Sequence, residues 1–288
     1  MKVVTLLLLL VHLHASAQHQ ERTVFVYNIA LGGITSGIGA VINKPKQVNW
    51  KKAFLKGFWQ GDIGGLLNYA GKKTLYLVNR QQKDIYAWPA KLLHAAGSSI
   101  IENASLQEPF LQNWNIDFGL LRFDFSFRMQ RKFKVRLLPE AIVATIIASD
   151  HGRFDFGSSL RTGEMVFKTR DILNLPNTPF AAGVTFGRAI IYVDTPQSVY
   201  TKDRILAHEL VHRFQYNEYQ VFNSWLQPVV KKIRSKALQT IFSKYVYADI
   251  PYFFLPYYID GRYAYPHHYR NFFEFEADRF ATNSYVPR

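Results

Sequence analysis

A chain of 288 residues that is 48% hydrophobic and 16% aromatic can bury a sizeable core in one or two domains, which excludes an intrinsically disordered protein. The formal net charge is +14, yet Lys and Arg are scattered and no RNP-like, zinc-finger or helix-turn-helix pattern accompanies them. Nucleic acid is therefore not an expected partner. Cysteine is absent, which excludes disulfides and thiolate metal sites and leaves any metal to imidazoles and carboxylates.

In chain order, Met1 to Ala17 reads as a secretory signal. Lys2 supplies a positive start, Val3 to Leu10 an apolar run, and Ala15-Ser16-Ala17 a small-residue cleavage site. The expected location is outside the cytoplasm: periplasmic, outer-surface or secreted, with no cysteine to carry a lipid anchor. Residues 18–73 follow as a glycine-rich segment read as a helical hairpin. Its first arm, Ile29 to Ile42, is apolar over about 14 residues, short of a membrane span. After a basic turn, the second arm carries Gly57, Gly61 and Gly65 at four-residue spacing, a smooth stripe on which another helix can close. Packing on the protein's own core is the preferred reading, and peripheral membrane or envelope contact through residues 29–71 is the alternative.

Thr74 to Val78 then predicts a short strand, and Ala90 to Ala104 a helix that starts after Pro89. Between Ile116 and Phe127 the apolar alternation changes phase, which predicts a bulged strand, a hairpin at Met129 to Lys132 and a return strand Phe133 to Leu137. Ile142 to Ala148 is apolar without a clear period. Leu160 to Arg170 predicts a hairpin around Thr162-Gly163, and Gly187 to Val193 a strand. Helices are expected at Thr201 to Tyr219, Trp225 to Tyr245 and Asn271 to Asn283, with an aromatic, proline-containing stretch from Ile250 to Tyr269.

His208-Glu209-Leu210-Val211-His212 carries the chemistry. On a helix, imidazoles at i and i+4 converge on one ion, and Glu209 stands next to the first of them as a general base for water. A third ligand is needed. In the C-terminal helix, Glu274 and Asp278 share a face while Glu276 points elsewhere. One carboxylate there can complete the site, and the other can accept a hydrogen bond from a ligand histidine and fix its tautomer. His94 and His151 are isolated and read as structural or exposed.

Together, His208 to His212 and Phe273-Glu274-Phe275-Glu276-Ala277-Asp278 resemble the gluzincin metallopeptidases, above all the CAAX-prenyl-protease and HtpX families. The stretch Thr185 to Ile190, the motif and Gln215 are also similar to the peptidase-like domain of extracellular contractile injection system proteins. The resemblance spans about residues 185–281. It implies an α+β, zincin-like fold: a mixed or antiparallel sheet, an active-site helix and a C-terminal ligand-bearing helix. It further implies one Zn2+ per chain on His208, His212 and Glu274, Glu209 as base, Asp278 behind the ligands and a peptide or protein substrate. Residues 74–200 would form the β-rich part of the catalytic domain and 201–288 its helical metal-binding part. Tyr263, Tyr265, His267 and His268 are candidates, by position, to stabilise an oxyanion. The strand Gly187 to Val193 is expected to present an edge to an extended peptide. The rival reading is a non-catalytic exported protein that binds an envelope partner and keeps a structural or vestigial zinc site.

Overall fold

The computed structural model describes residues 21–127, 132–171, 173–175, 178–196, 198–221, 223–264 and 271–283. The signal segment, the turn 129–131 and Tyr265, His267 and His268 lie outside them. The fold is mixed α+β, with one antiparallel and one mixed sheet accompanied by two short strand pairs.

Helix α1 (Glu21–Ile42) and helix α2 (Trp50–Thr74) form the expected hairpin, and Asn49 caps α2 by accepting from the Lys51 amide at 2.8 Å. The first arm exceeds the sequence expectation, because Val24 and Tyr27 extend the apolar stretch and are themselves buried. At 22 residues α1 is long and apolar enough to cross a membrane by length and composition, and 56% of its apolar window is buried in the protein. After α3 (Tyr76–Gln81) comes α4 (Ala87–Ser105), so that α2 lies between α1 and α4. Glycines line both of its buried faces. Gly65 abuts the carbonyls of Asn28 and Ile29 on α1, and Gly71 abuts Ala90 on α4. A β-carbon at Gly65 would lie 2.5 Å from the Asn28 oxygen and 2.8 Å from that of Ile29, both rigid backbone. Gly65→Ala is therefore expected to destabilise by roughly 1–3 kcal/mol through overpacking, against a helix-propensity gain of about 1 kcal/mol. Urea denaturation checks this, and an unchanged or raised midpoint would refute it.

Thr74 to Val78 is helical rather than extended. Leu75 and Val78, three residues apart, are completely buried within the main core, and packing overrides the β-propensity of the stretch. The phase shift after Ile116 is a tight turn and not a bulge. β1 (Asn113–Phe118) and β2 (Leu121–Ser126) meet at Gly119, whose φ is +53°, and β3 (Lys132–Leu137) completes an antiparallel meander. Register puts Trp114, Phe125 and Phe133 side by side, with Ile116, Phe123 and Val135 in the next row. This apolar face looks outward, whereas the polar face turns into the protein. There Arg122 is buried among Glu102, Asp117 and Asp124, with its guanidinium 3.7 Å from the Tyr247 ring centroid.

Helix α5 (Pro139–His151) resolves the ambiguous apolar run: Ala141, Ala144 and Ala148 form its buried face. Leu160 to Arg170 is not a hairpin. Asp155 caps α6 (Phe156–Thr162) by accepting from Ser158, and Gly163, at φ +71°, ends it before strand β5 (Met165–Thr169). The mixed sheet orders β4 (Arg153–Phe154), β5, β9 (Ala189–Val193) and β8 (Gly183–Phe186), with β5 and β9 parallel and the other pairs antiparallel. β6 (Leu173–Leu175) and β7 (Thr178–Ala181) pair separately.

Helix α7 (Lys202–Glu218) packs on β8 and β9, and Thr201 caps it by accepting from the Arg204 amide. The helix expected over Trp225 to Tyr245 breaks in two. α8 (Asn223–Val230) contains Pro228, and Ser235 caps a new helix, α9 (Lys236–Thr240), which runs into a π-helical turn. Short strands β10 (Gln220–Val221) and β11 (Ile250–Pro251) pair, and α10 (Phe254–Ala264) leads towards α11 (Phe272–Thr282), capped by Asn271. The main core joins Leu206, Leu210 and Phe214 of α7 to Phe273 and Phe280 of α11 and to Ile190 of β9. That packing fixes α7 and α11 against one another.

Candidate metal centre

The two capped helices bring His208, His212 and Glu274 to a point. His208 Nε2 lies 3.1 Å from His212 Nε2 and 3.2 Å from Glu274 Oε2, and His212 Nε2 lies 3.4 Å from the same oxygen. Metal bonds of about 2.0–2.1 Å at tetrahedral angles hold donor atoms about 3.3–3.4 Å apart, so the triangle is close to the size a small divalent cation requires.

Hydrogen bonds on the far side of each ring say which nitrogen faces inward. Gln215 Nε2 donates to the Phe273 carbonyl at 3.1 Å and to Glu276 at 2.7 Å, which leaves its oxygen towards His212. His212 Nδ1 must then donate to Gln215 Oε1, 2.8 Å away. His208 Nδ1 donates likewise to Asp278 Oδ1 at 3.0 Å. With both imidazoles neutral, each Nε2 is a lone-pair acceptor facing a carboxylate oxygen, a set that repels itself until a proton or a metal cation sits between the three atoms. The other Glu274 oxygen accepts from the Tyr257 hydroxyl at 2.6 Å. Burial alone would lower the His208 imidazole, but Asp278 and Glu274 outweigh it and hold the pKa well above the ordinary value, and Glu274 raises His212 in the same way. The pocket therefore favours positive charge, and the residues present fit a divalent cation with nitrogen and oxygen donors.

Solvent reaches the cluster beside His208 and Asp278. The His208 side chain is 21% exposed and that of Asp278 50%, while Glu274 is buried. Asp278→Ala is expected to weaken the binding of a divalent cation at these three residues by roughly 10–100-fold, the usual effect of removing a ligand's hydrogen-bond partner. Competition with a chromophoric chelator measures it, and wild-type affinity would refute the role.

Glu209 is buried on the neighbouring turn. Burial pushes its carboxyl up, and the imidazoles of His208 and His212 pull it back. The Thr185 hydroxyl donates to Glu209 Oε2 at 2.8 Å, and Gly183 makes room for it: a β-carbon there would lie 2.8 Å from Glu209 Oε1. Both residues belong to β8, which corrects the expectation that the strand Gly187 to Val193 is the edge. β9 is internal, hydrogen-bonded on both sides, whereas β8 ends the sheet, and among the described residues no strand pairs along its outer side.

Glu276 points away from the triad, as expected, into a buried cluster that the sequence reading missed. It accepts from Asn28 Nδ2 at 2.7 Å and lies 3.0 Å from Lys72 Nζ, which also meets Glu218 at 2.7 Å. Gln215 thus ties His212 to an ion cluster that reaches α1 and α2. Tyr257 and Gly183 were missed as well, and Thr185 was named only as the first residue of the stretch before the motif. A lone tyrosine in an aromatic-rich stretch and one small residue in a strand carry no pattern, and only the folded chain reveals them. His94 is structural, buried and stacked on Phe214 with 4.3 Å between ring centroids, and His151 is exposed. Tyr263 belongs to α10, its side chain outside the described set. A cavity of about 490 Å³ opens elsewhere, lined by Glu102, Asn115, Arg136 and Tyr247 and by none of the triad. Set against family models, curated proteins and solved structures, the chain shows no match.

Proposed function

We propose that this protein is an exported, zinc-dependent metallopeptidase of gluzincin type that hydrolyses peptide bonds. The observation that carries the reading is the triangle of His208 Nε2, His212 Nε2 and Glu274 Oε2, with edges of 3.1–3.4 Å, formed beside a buried carboxylate on the same helix. Zinc bound there supplies Lewis acidity, polarising a carbonyl and acidifying water. Glu209 takes the proton from water and returns it to the leaving amine. Thr185 and the space left by Gly183 hold its carboxylate in place. The open side of β8 offers main-chain hydrogen bonds to an extended peptide, which would align the scissile bond next to Glu209. Tyr257 keeps one Glu274 oxygen occupied and so leaves the other for the metal.

Metal analysis and cleavage of a peptide library test the proposal. The wild type is expected to hold about one zinc per chain and to cleave, and Glu274→Ala to lose metal and activity together. A wild-type chain that binds no zinc in the presence of excess metal would overturn the reading. Zinc without cleavage of any library member would favour the non-catalytic envelope-binding alternative.

A further inference from the structure

The outward face of α2 is not explained by the metal site. Leu55, Trp59, Ile63 and Leu66 are 55%, 68%, 47% and 41% exposed, and spacings of four, four and three put them on one stripe of the helix. The glycine-lined faces of α2 are packed against α1 and α4, which leaves this stripe as its outward face among the described residues. The stripe begins in a basic stretch: Lys46, Lys51, Lys52 and Lys56 are all exposed, next to a Trp50 that is 49% exposed. Asp62, the only acid in the helix, has one oxygen buried against Gly33, and burial pushes its carboxyl up to about 6. The charge offered at the surface is positive.

Apolar bulk with tryptophan at its centre and lysines interleaved suits one kind of partner. In the core of a protein–protein interface lysine is depleted, because its ammonium would be stripped of water. At a bilayer surface the lysine stem lies along the apolar boundary while the ammonium meets lipid phosphate, and the tryptophan ring sits at headgroup level. We propose that this face of α2 docks on a bilayer containing anionic phospholipid, with the helix parallel to the membrane plane. The outward apolar face of β1–β3 shows no such interleaving among its described residues, since Arg122 and Arg136 lie on the inward side of that sheet.

The test is co-sedimentation of the full chain with sucrose-loaded vesicles of phosphatidylcholine alone or with one quarter phosphatidylglycerol. Binding is expected only to the anionic vesicles, with release at high salt. Lys51→Gln/Lys52→Gln/Lys56→Gln should lower partitioning on the order of a hundredfold, at about fivefold per lysine. Trp59→Ser should lower it about tenfold. Ile63→Ser serves as a second apolar variant, and the thermal midpoint of each exposed-site variant should match the wild type. Phe133→Ser, on the outward sheet face, should bind vesicles as the wild type does. The proposal is overturned if the wild type stays in the supernatant, if it binds neutral vesicles equally, or if natively folded variants of α2 bind undiminished. Loss of binding in Phe133→Ser alone would move docking to the sheet and overturn it too. None of these outcomes depends on peptidase activity.

Discussion

Glu209→Gln is expected to lower peptide cleavage by roughly 10²–10⁴-fold while zinc content stays at that of the wild type. The amide has the size of the carboxylate, and its oxygen can still accept from Thr185, which donates at 2.8 Å. The three ligand atoms belong to other side chains, so metal affinity has no reason to fall. What the amide cannot do is take a proton from water. The pH profile separates this loss from a structural one. Burial raises the Glu209 carboxyl in the metal-free site, and a cation bound beside it pulls the carboxyl back down. Wild-type kcat/KM should rise with pH as Glu209 ionises, and residual activity in the Gln variant should lose this acid limb. Retained cleavage with retained zinc would remove Glu209 from the reaction. Loss of zinc in the Gln variant would show that the substitution disturbs the ligands.

The parts of this site that could be read from the sequence are those set by helical geometry. His208 and His212 at i, i+4 and Glu274 and Asp278 at the same spacing each define one helix face. Thr201 and Asn271 mark the starts of those helices, observed at Lys202–Glu218 and Phe272–Thr282 against expected spans of Thr201 to Tyr219 and Asn271 to Asn283. Readings failed where a tertiary choice decides. The alternation in Ile116 to Phe127 identifies two faces of a sheet but not which one is buried, and here the polar face is inside because Glu102, Asp117 and Asp124 neutralise Arg122. Leu75 and Val78 look like strand residues until the core that receives them is in place. The order β4-β5-β9-β8 leaves β8 at the edge, although β9 has the stronger apolar pattern. An apolar run marks an interior strand, which is why the clearest strand in the sequence was the wrong one to choose as an edge.

Lys72 is the plainest case of a residue whose sequence context misleads, and its replacement should have a large effect on stability. Beside Lys73 it reads as half of an exposed pair, yet it is fully buried between Glu218 and Glu276 while Lys73 is exposed. Lys72→Met would leave two buried carboxylates without their cation, and roughly 3–5 kcal/mol of stability should be lost at neutral pH. Burial pushes the Glu218 carboxyl up to about 7 even with Lys72 opposing it, so removing the lysine pushes Glu218 higher still. An acid whose folded pKa lies above its unfolded value loses stability as pH rises through that range. The deficit of Lys72→Met should therefore shrink from pH 8 to pH 5, and Lys72→Met/Glu218→Gln/Glu276→Gln should recover most of it at neutral pH. Urea titrations across that range read both effects. A loss below about 1 kcal/mol at neutral pH, or one independent of pH, would show that the cluster is not held by this charge balance. The consequence should extend to the metal ligands, because Glu276 accepts from Gln215 and Gln215 fixes the His212 ring. If Glu276 moves once its cation is gone, the Gln215 amide loses the acceptor that sets its orientation. Affinity for the proposed zinc should then fall in Lys72→Met by roughly 10–100-fold, although Lys72 touches none of His208, His212 and Glu274.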